Sequence, residues 1–364
     1  MKVYDQENSP AARMTNQSLP NGWIVKDRIK KDSSQTGSAY SICYYAEKDG
    51  KSYFLKVYDL NAYLKGDEAP ERRVKEMTRM LNQYDHEKNI SQFCRERGAS
   101  NVACIIEANV TESDEDRTPI PYLIFERADG DVRKFLETSE NVDTVWKFKS
   151  LHEVAVGLQQ LHMLKVYHQD IKPSNILTFN GDSKLGDLGR AVKDLSLCPF
   201  FDDVYWGDKT YLAPEVAYSS EIGKDERRML LTDLYLLGSL ITYYFFYLPY
   251  NGFIYKKIPA NHHYLKTALT YSEILEELKE AHSSVIEQFQ RTINLHDKYA
   301  EEKLIQLIDA LCNPDFNHRH HPSILLASTI NGESNISIGV RYGLEKVISS
   351  FDWFHKRFLY NLKK

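Results

Sequence analysis

The sequence predicts an α+β protein with two lobes: a small lobe of antiparallel β-strands with one main helix, and a larger, mostly helical lobe. Two observations support this fold class. Between residues 23 and 125, β-branched and aromatic runs alternate with turn signals, which is typical of strands. After residue 131, apolar residues recur at helical spacing. The chain has 364 residues, of which 42% are hydrophobic, and this suffices for two lobes with sizeable cores.

The predicted domain boundaries follow from this change from a strand-like to a helical residue pattern. Residues 1–20 lack the apolar core of a signal peptide, so we predict a flexible leader there. We expect the small lobe over residues 21–127 and the large lobe over residues 128–325. A helical extension is predicted over residues 326–364.

The small lobe is predicted to begin with a β-hairpin. Its two runs, AYSICYYAE and KSYFLKVYD, are separated by Asp49 and Gly50, a signal for a two-residue turn. A helix is predicted over residues 68–89, which are rich in Glu, Arg and Met. Strands at residues 102–110 and 121–127 complete the lobe.

The large lobe is predicted to contain helices over residues 146–166, 230–248 and 272–293. The first helix carries a core-facing stripe of Leu151, Val154, Leu158, Leu161 and Leu164. The second is long enough to cross a membrane. Because it also contains Asp233 and several hydroxyl side chains, we favour the buried centre of a lobe and expect no membrane partner.

Charge and cysteine usage exclude some functions. The formal net charge of −5 gives no basic footprint, so no nucleic-acid partner is expected. The five cysteines are scattered without a CxxC pair, which indicates neither a disulfide framework nor a zinc site. Free cysteines favour a reducing compartment, and we expect a cytoplasmic location.

The segment YHQDIKPSNIL, residues 167–177, contains most of the candidate catalytic and metal-binding residues. Asp170, Lys172 and Asn175 lie within six residues, and Asp187 follows in GDLGR. Two acids and an amide oxygen suit Mg²⁺, which prefers oxygen ligands, and Lys172 adds a positive charge beside a reacting anion. The set indicates phosphoryl transfer, in which catalysis is mostly positioning and charge neutralisation.

These segments resemble the ordered motifs of the eukaryotic-like protein kinase family. HQDIKPSN resembles its catalytic loop H-R-D-x-K-P-x-N, DLG resembles D-F-G, and YLAPE resembles A-P-E. The resemblance implies the two-lobed protein kinase fold, ATP and Mg²⁺ as cofactors, and protein substrates, including the chain itself. Lys172, two residues after the catalytic Asp, resembles the Ser/Thr type.

The resemblance assigns roles to single residues. Asp170 would accept or orient the proton of the substrate hydroxyl, and Lys172 would steady the phosphoryl group; these are the predicted catalytic residues. Asn175 and Asp187 would ligate Mg²⁺. Lys56, in the run FLKVY, would hold the α- and β-phosphates.

A glutamate on the next helix should order the Lys56 ammonium. Our first choice is Glu76 and our second is Glu71. The resemblance also implies a phosphate loop, a hinge that offers backbone groups to adenine, and an adenine pocket with Phe125 as gatekeeper. The cofactor-binding residues predicted there are Gly37, Ile42, Glu126, Ala128, Asp131 and Leu177.

Two further matches concern the scaffold. Asp233, in TDLYLLG, resembles the acid of a buried helix that hydrogen-bonds the backbone of the catalytic loop, and a buried carboxylate needs such partners. Arg319, in NPDFNHR, resembles the arginine that pairs with the glutamate of A-P-E, here Glu215.

The chain departs from the family pattern near the nucleotide. Gln35 and Tyr40 stand at the first and third glycine positions of the phosphate loop, so that only Gly37 remains. Phe54 stands where a small alanine normally covers adenine. Gln169 replaces the arginine that grips a phosphorylated activation segment, which predicts little dependence on phosphorylation of that segment.

Asp208 occupies the place where Ser/Thr kinases carry a threonine that touches the catalytic Asp. Thr210, two residues on, could substitute through a local shift. Three functions stay open: an active protein Ser/Thr kinase, a catalytically weak or inactive pseudokinase that acts as a nucleotide-binding scaffold, and a small-molecule kinase. The A-P-E, Asp233 and Arg319 matches disfavour the third.

The C-terminal extension has an apolar stripe at helical spacing. Its members are Leu344, Val347, Ile348, Phe351, Phe354 and Phe358. Two interpretations stay open: the stripe packs back on its own domain, or it docks a partner protein.

Overall fold

The computed structural model describes residues 9–29, 41–60, 69–115, 117–138, 142–200, 207–218, 225–324 and 336–362. The chain forms two compact units. The first comprises Met1–Asp129, Gly186–Gly189 and Ser196–Phe201, and the second comprises Gly130–Leu185, Arg190–Leu195 and Asp202–Lys364.

A six-stranded antiparallel sheet and one long helix build the described part of the first unit. The strands run in the order β1-β2-β3-β4-β6-β5 across the sheet. Their bounds are β1 Ser18–Leu19, β2 Trp23–Arg28, β3 Ser41–Lys48, β4 Lys51–Tyr58, β5 Ile105–Glu112 and β6 Pro119–Glu126, and helix α1 spans Pro70–Glu96.

The predicted hairpin is confirmed as β3–β4. Both turn residues have positive φ, 51° at Asp49 and 72° at Gly50, which is the backbone of the two-residue turn that Asp-Gly favours. The turn sets the register, so that Lys48 lies opposite Lys51 and Cys43 lies opposite Lys56. Directly opposed residues of an antiparallel pair share one face of the sheet.

One face of the sheet is apolar and is covered by the chain that precedes it. Ala11, Ala12 and Met14 join the same buried cluster as Tyr44 and Leu55. The Tyr44 hydroxyl donates to the carbonyl oxygen of Ala11 at 2.8 Å. The prediction of a flexible leader over residues 1–20 is therefore wrong for residues 9–20, because small apolar side chains there complete a core.

The second unit contains a small sheet and most of the helices. Its strands are β7 Gly130–Asp131, β8 Ile176–Phe179 and β9 Asp182–Leu185, in the order β7-β8-β9. Its helices are α2 Val132–Thr138, α3 Thr144–Met163, α4 Pro214–Ala217, α5 Glu226–Phe246, α6 Tyr250–Ile254, α7 Tyr271–Thr292, α8 Lys298–Leu311 and α9 Ile336–Leu362.

Local sequence signals start several of these helices. The Asp143 carboxylate caps α3 by accepting from the Val145 N–H, and Asp225 caps α5 in the same way. Thr270 and Glu273 form a capping box at α7. The predicted stripe of α3 is buried from Leu151 to Leu161, whereas Leu164 lies past the end of the helix and is partly exposed.

Helix α5 is long and apolar enough to span a membrane by length and composition. In the structure, however, 89% of its most apolar window is buried inside the protein. A buried core helix passes the same test, so the composition of α5 gives little support for membrane insertion.

The C-terminal helix α9 packs against α3. The ring of Phe148 on α3 stacks on Phe354 at 4.6 Å and on Phe358 at 5.4 Å between centroids. Leu344, Val347 and Phe351 are at most 2% exposed. The stripe is therefore occupied by its own unit, which favours the first of the two interpretations, and a partner would have to use another face of α9.

Candidate active site

A buried lysine–glutamate pair lies in the first unit. The Lys56 Nζ on β4 donates to both carboxylate oxygens of Glu87 on α1, at 2.9 and 2.7 Å. It also lies 3.3 Å from the Oδ1 of Asp187. The Tyr58 hydroxyl donates to the Oε2 of Glu87. Glu87 is only 3% exposed, so these partners supply the hydrogen bonds that a buried carboxylate requires.

The prediction of Glu76 as the partner of Lys56 is wrong, and so is the second choice, Glu71. Helix α1 is 27 residues long, and Glu87 lies about three turns beyond Glu76. The residues of α1 buried in the first unit include Met80, Tyr84, Glu87, Ser91 and Cys94, spaced by three and four. This stripe was readable in the sequence, and Glu87 is the glutamate that lies on it.

Burial and neighbouring charges shift the pKa values of both members of this pair. Burial opposes the charge on Lys56, but the carboxylates of Asp187 and Glu87 outweigh it and raise the pKa of Lys56 well above its ordinary value. Burial raises the pKa of Glu87, while Lys56 opposes that rise. Burial and the neighbouring Glu87 also raise the pKa of Tyr58, so its hydroxyl stays protonated and acts as the donor.

The DLG segment, part of the first unit, approaches Glu87 closely. A Cβ at Gly189 would lie 3.1 Å from the Oε2 of Glu87 and 3.2 Å from the Oδ1 of Asp187, which is tighter than ordinary packing. Asp187 itself has a φ of 57°, in the left-handed region that non-glycine residues rarely adopt. Strained backbone of this kind is common at functional sites.

The second unit holds the predicted catalytic loop. The Asn175 amide donates to the carbonyl oxygen of Asp170 at 2.8 Å and to its Oδ2 at 3.0 Å. The Lys172 Nζ lies 3.1 Å from the Oδ2 of Asp170. Asp170, Lys172 and Asn175 are each less than 9% exposed. The structure thus brings these three predicted residues together around the Asp170 carboxylate.

Asp208 contacts the same group. Its backbone N–H donates to the Oδ1 of Asp170 at 3.0 Å, and its carboxylate lies 3.2 Å from the Lys172 Nζ. Burial opposes ionisation of Asp208, but Lys172 and bonds from Thr210 outweigh it and lower the pKa of Asp208. The Thr210 backbone N–H donates to the Oδ1 of Asp208 at 2.9 Å, and the substitution of Thr210 for the missing threonine at Asp170 stays a prediction.

Gly207 is a site residue that the sequence reasoning missed. Its φ is 95°, and a Cβ there would lie 2.6 Å from the carbonyl oxygen of Gln169. Only glycine allows this close approach between the chain before Asp208 and the catalytic loop. Its position directly before Asp208 was the available signal.

Asp233 anchors the catalytic loop as predicted. Its carboxylate accepts from the backbone N–H groups of His168 and Gln169, both at 2.8 Å. His162, which was not predicted, adds a hydrogen bond at 2.9 Å. The amide of Gln169 donates to the carbonyl oxygen of Met229 at 2.8 Å and to Asp233 at 3.0 Å. Gln169 thus binds the helix behind the loop, which explains a neutral amide at this position.

The expected ion pair between Glu215 and Arg319 is present. Two bonds of 2.7 and 2.9 Å join the guanidinium to the carboxylate, and both side chains are fully buried. Burial opposes ionisation of Glu215, but Arg319 outweighs it and lowers the pKa of Glu215. Two parallel bonds of this kind fix geometry as well as charge.

The residues predicted around adenine have different outcomes. Ile42 lies opposite Val57 and is buried in the cluster on the far face of the sheet, so its prediction is wrong. Cys43 lies opposite Lys56 and shares its face. A shift of one residue turns a strand side chain to the other face, and the degenerate phosphate loop gave no glycine with which to fix the alignment.

The remaining members stay predictions. Phe54 and Phe125 are opposed on the Lys56 face, with ring centroids 6.1 Å apart. Glu126 ends β6 and is exposed, and Ala128 lies two residues further along the chain. In the second unit, Asp131 accepts from the Lys134 N–H at 3.0 Å at the start of α2, and Leu177 lies on β8. Gly37 lies outside the described residues.

The donor chemistry fits Mg²⁺. Asn175 donates with its amide nitrogen, so its amide oxygen is the atom with ligand character. Asp187 offers a carboxylate whose side chain is 40% exposed. Oxygen ligands of these types are those that Mg²⁺ prefers.

Comparison with known proteins agrees with this geometry. The protein kinase domain family matches residues 37–329, and the chain belongs to that family. The predicted resemblance is therefore confirmed, and membership implies the two-lobed kinase fold.

Curated relatives are similar over parts of the chain. Mitosis inhibitor protein kinase mik1 of Schizosaccharomyces pombe is 39% identical over 95 residues, 26% of this chain and 14% of that protein. Mitosis inhibitor protein kinase SWE1 of Candida albicans is 27% identical over 222 residues, 60% of this chain and 18% of that protein. Probable serine/threonine-protein kinase PknB of Corynebacterium glutamicum is 36% identical over 122 residues, 32% of this chain and 19% of that protein. The chain thus spans less than a fifth of the length of these three relatives.

Proposed function

We propose that this chain is an ATP- and Mg²⁺-dependent protein kinase that transfers the γ-phosphate to serine and threonine hydroxyls of protein substrates, itself included. The observation that carries the proposal is the complete set of ionisable groups. Lys56 is ordered by Glu87, and Asp170 is held between Lys172 and Asn175. Burying charged groups costs free energy, so their retention as a complete set is best explained by a function that uses them.

Each residue has a task in the proposed reaction. Asp170 orients the acceptor hydroxyl and takes its proton, and Lys172 balances charge on the transferring group. Lys56 binds the α- and β-phosphates. Asn175 and Asp187 would hold Mg²⁺, which neutralises charge on the phosphates when bound. These are positioning and electrostatic tasks, as phosphoryl transfer requires.

A peptide phosphorylation assay with radiolabelled ATP tests the proposal. We expect transfer by the wild type and a loss of at least about 100-fold in Asp170→Asn, the scale of a general base. Asp182→Asn is the matched control, because Asp182 is exposed and pairs with Lys149 on the same unit. If the wild type transfers no phosphate to any protein or peptide, the proposal fails.

The alternative function is a pseudokinase scaffold. Phe54 and the degenerate phosphate loop favour it. A thermal-shift titration with Mg·ATP separates the two functions when it is run beside the transfer assay. Stabilisation by nucleotide without phosphate transfer would identify the scaffold, whereas both signals together support the kinase.

The acceptor hydroxyl needs its own test. A relative named as a probable serine/threonine-protein kinase, PknB, supports serine and threonine as the acceptor residues. Asp208 stands in place of the family threonine, and its carboxylate shares Lys172 with Asp170, so the motif alone does not fix the acceptor hydroxyl. Matched peptides that differ only in Ser, Thr or Tyr at the acceptor position decide the class.

A further inference from the structure

A cavity of about 560 Å³ lies in the second unit, apart from every residue of the proposed active site. It is bounded by α8, by the turn Pro322–Ile324 and by α9. Cavities of this volume bind small ligands and single side chains. The helix α9 supplies one wall, so the extension beyond the family match contributes directly to the cavity.

The cavity is basic. Lys303 on α8 and Lys346 on α9 both line it, and no side chain in its described lining is acidic. The Lys303 Nζ contacts the Gln306 Oε1 at 3.3 Å and lies 5.6 Å from the Tyr299 ring. Within the described ranges, neither lysine forms an ion pair with a carboxylate. Two exposed lysines on facing helices, neither of them paired with a carboxylate of the described residues, attract an anion.

Neutral hydrogen-bonding groups surround these cations. His321 contacts Ser323 Oγ through Nδ1 at 2.8 Å and Ser350 Oγ through Nε2 at 3.1 Å. Burial, with Lys346 and Lys303 nearby, lowers the pKa of His321 to about 4. The ring is therefore neutral near pH 7, and the serine hydroxyls complete a polar lining.

The rim of the cavity is aromatic. Tyr299 is 52% exposed and Trp353 is 36% exposed, with their rings edge to face at 5.6 Å. Leu307 and Phe354, which also line the cavity, are buried. Exposed aromatic rings beside an apolar floor suit a flat apolar group rather than a bare ion.

We propose that this cavity binds an aryl phosphate, the chemistry of a phosphotyrosine side chain, with the phosphate on Lys303 and Lys346 and the ring against Trp353 and Tyr299. Phosphate monoesters offer several acceptor oxygens and about two negative charges, which match two lysines and neighbouring hydroxyls. The arrangement would recognise a phosphorylated tyrosine of a peptide. It does not depend on phosphoryl transfer by this chain.

The first experiment is a fluorine NMR titration of the full chain labelled with 5-fluorotryptophan. The Trp353 signal is assigned by its loss in Trp353→Phe, and the probe is phenyl phosphate. We expect a saturable shift of the Trp353 signal, with weaker binding of inorganic phosphate and no saturation with phenol. Absence of a shift at Trp353 with phenyl phosphate overturns the proposal, and equal affinity for inorganic phosphate overturns its aromatic part.

Charge-reversal variants locate the binding. Lys303→Glu with Lys346→Glu removes both proposed charge-assisted contacts and should weaken the binding of phenyl phosphate by at least about tenfold, a factor that the loss of one such contact would already give. Lys256→Glu with Lys257→Glu makes the same change of charge at exposed positions elsewhere on the unit and should bind as the wild type does. Lys56→Met should also leave the affinity unchanged, because Lys56 is outside this cavity.

Two checks keep the result interpretable. If the double charge reversal unfolds, Lys303→Gln with Lys346→Gln replaces it, and thermal unfolding verifies the fold. A phosphotyrosyl peptide is then compared with its unphosphorylated form. Preference for the phosphorylated peptide supports the proposed ligand class, and equal binding of both peptides refutes it.

Discussion

Removing the Tyr58 hydroxyl tests whether the buried Lys56–Glu87 pair depends on the hydrogen bond that Tyr58 donates to Glu87. Tyr58 donates to the same carboxylate that holds Lys56, and Glu87 is nearly inaccessible to water. Water therefore cannot replace the lost donor. In Tyr58→Phe the ring keeps its edge-to-face contact with Tyr84 at 5.4 Å, so the change removes a hydrogen bond and little packing.

The size of the effect follows from the bond that is lost. A hydrogen bond to a charged group contributes about 1.5–3 kcal/mol. If that energy serves to hold Glu87 and thereby Lys56 in place, kcat/KM for ATP falls by about 10- to 150-fold, at 1.36 kcal/mol for each factor of ten. These factors are upper limits on the fall in kcat/KM, because Lys56 retains both of its hydrogen bonds to Glu87 in the variant.

Tyr84→Phe is the matched control. It removes a hydroxyl in the same cluster, whose bond of 3.1 Å goes to the carbonyl oxygen of Asn109 and not to the pair. The assay is steady-state phosphorylation over a range of ATP concentrations, with thermal unfolding measured on both variants. If Tyr58→Phe and Tyr84→Phe have equal kcat/KM at equal stability, the positioning role of Tyr58 is refuted.

Three further predictions concern the scaffold, the nucleotide face and regulation. Arg319→Ala leaves the buried Glu215 charge without its partner and should lower the free energy of unfolding, measured in urea, by about 3–5 kcal/mol. Arg291→Ala, which breaks an exposed pair, should lower it by at most about 1 kcal/mol. Cys43 shares the Lys56 face, so a non-hydrolysable Mg·ATP analogue should slow its alkylation, measured by mass spectrometry, and an unchanged rate would contradict nucleotide binding there. Because the amide of Gln169 is bonded to Met229 and Asp233, phosphatase-treated protein should keep its activity; rescue of an inactive dephosphorylated protein by a phosphomimetic at Ser196 or Thr210 would show the opposite.

Sequence reasoning succeeded where a residue type has few alternatives. Asp-Gly fixed one turn geometry, and a charged Asp233 inside an apolar helix had to find polar partners. Arg319 and Glu215 are likewise the buried charges that neutralise each other. For the turn the residue pattern alone was enough, whereas the partners of Asp233 and Arg319 came from the resemblance to the kinase family. The high cost of an unpaired buried charge is the physical reason why those partners are present.

Sequence reasoning failed where several candidate residues differ only in the face of the helix or strand on which they lie. Helix α1 offers several glutamates, and only the direction of its buried stripe selects Glu87. Ile42 and Cys43 are neighbours on a strand, and their faces depend on a register that the hairpin turn sets. The N-terminal segment has no strong periodicity, so its packing on the sheet followed from the surface it covers rather than from its own pattern.

The cover formed by Ala11, Ala12 and Met14 has a practical consequence for anyone who shortens this chain. A recombinant fragment cut at the limits of the family match, residues 37–329, would lose β1, β2 and the cover at one end and α9 at the other. The exposed faces would then be broad and apolar, which favours aggregation over folding. We therefore expect fragments intended for crystallisation to fold best when they start before Ser9 and end after Leu362.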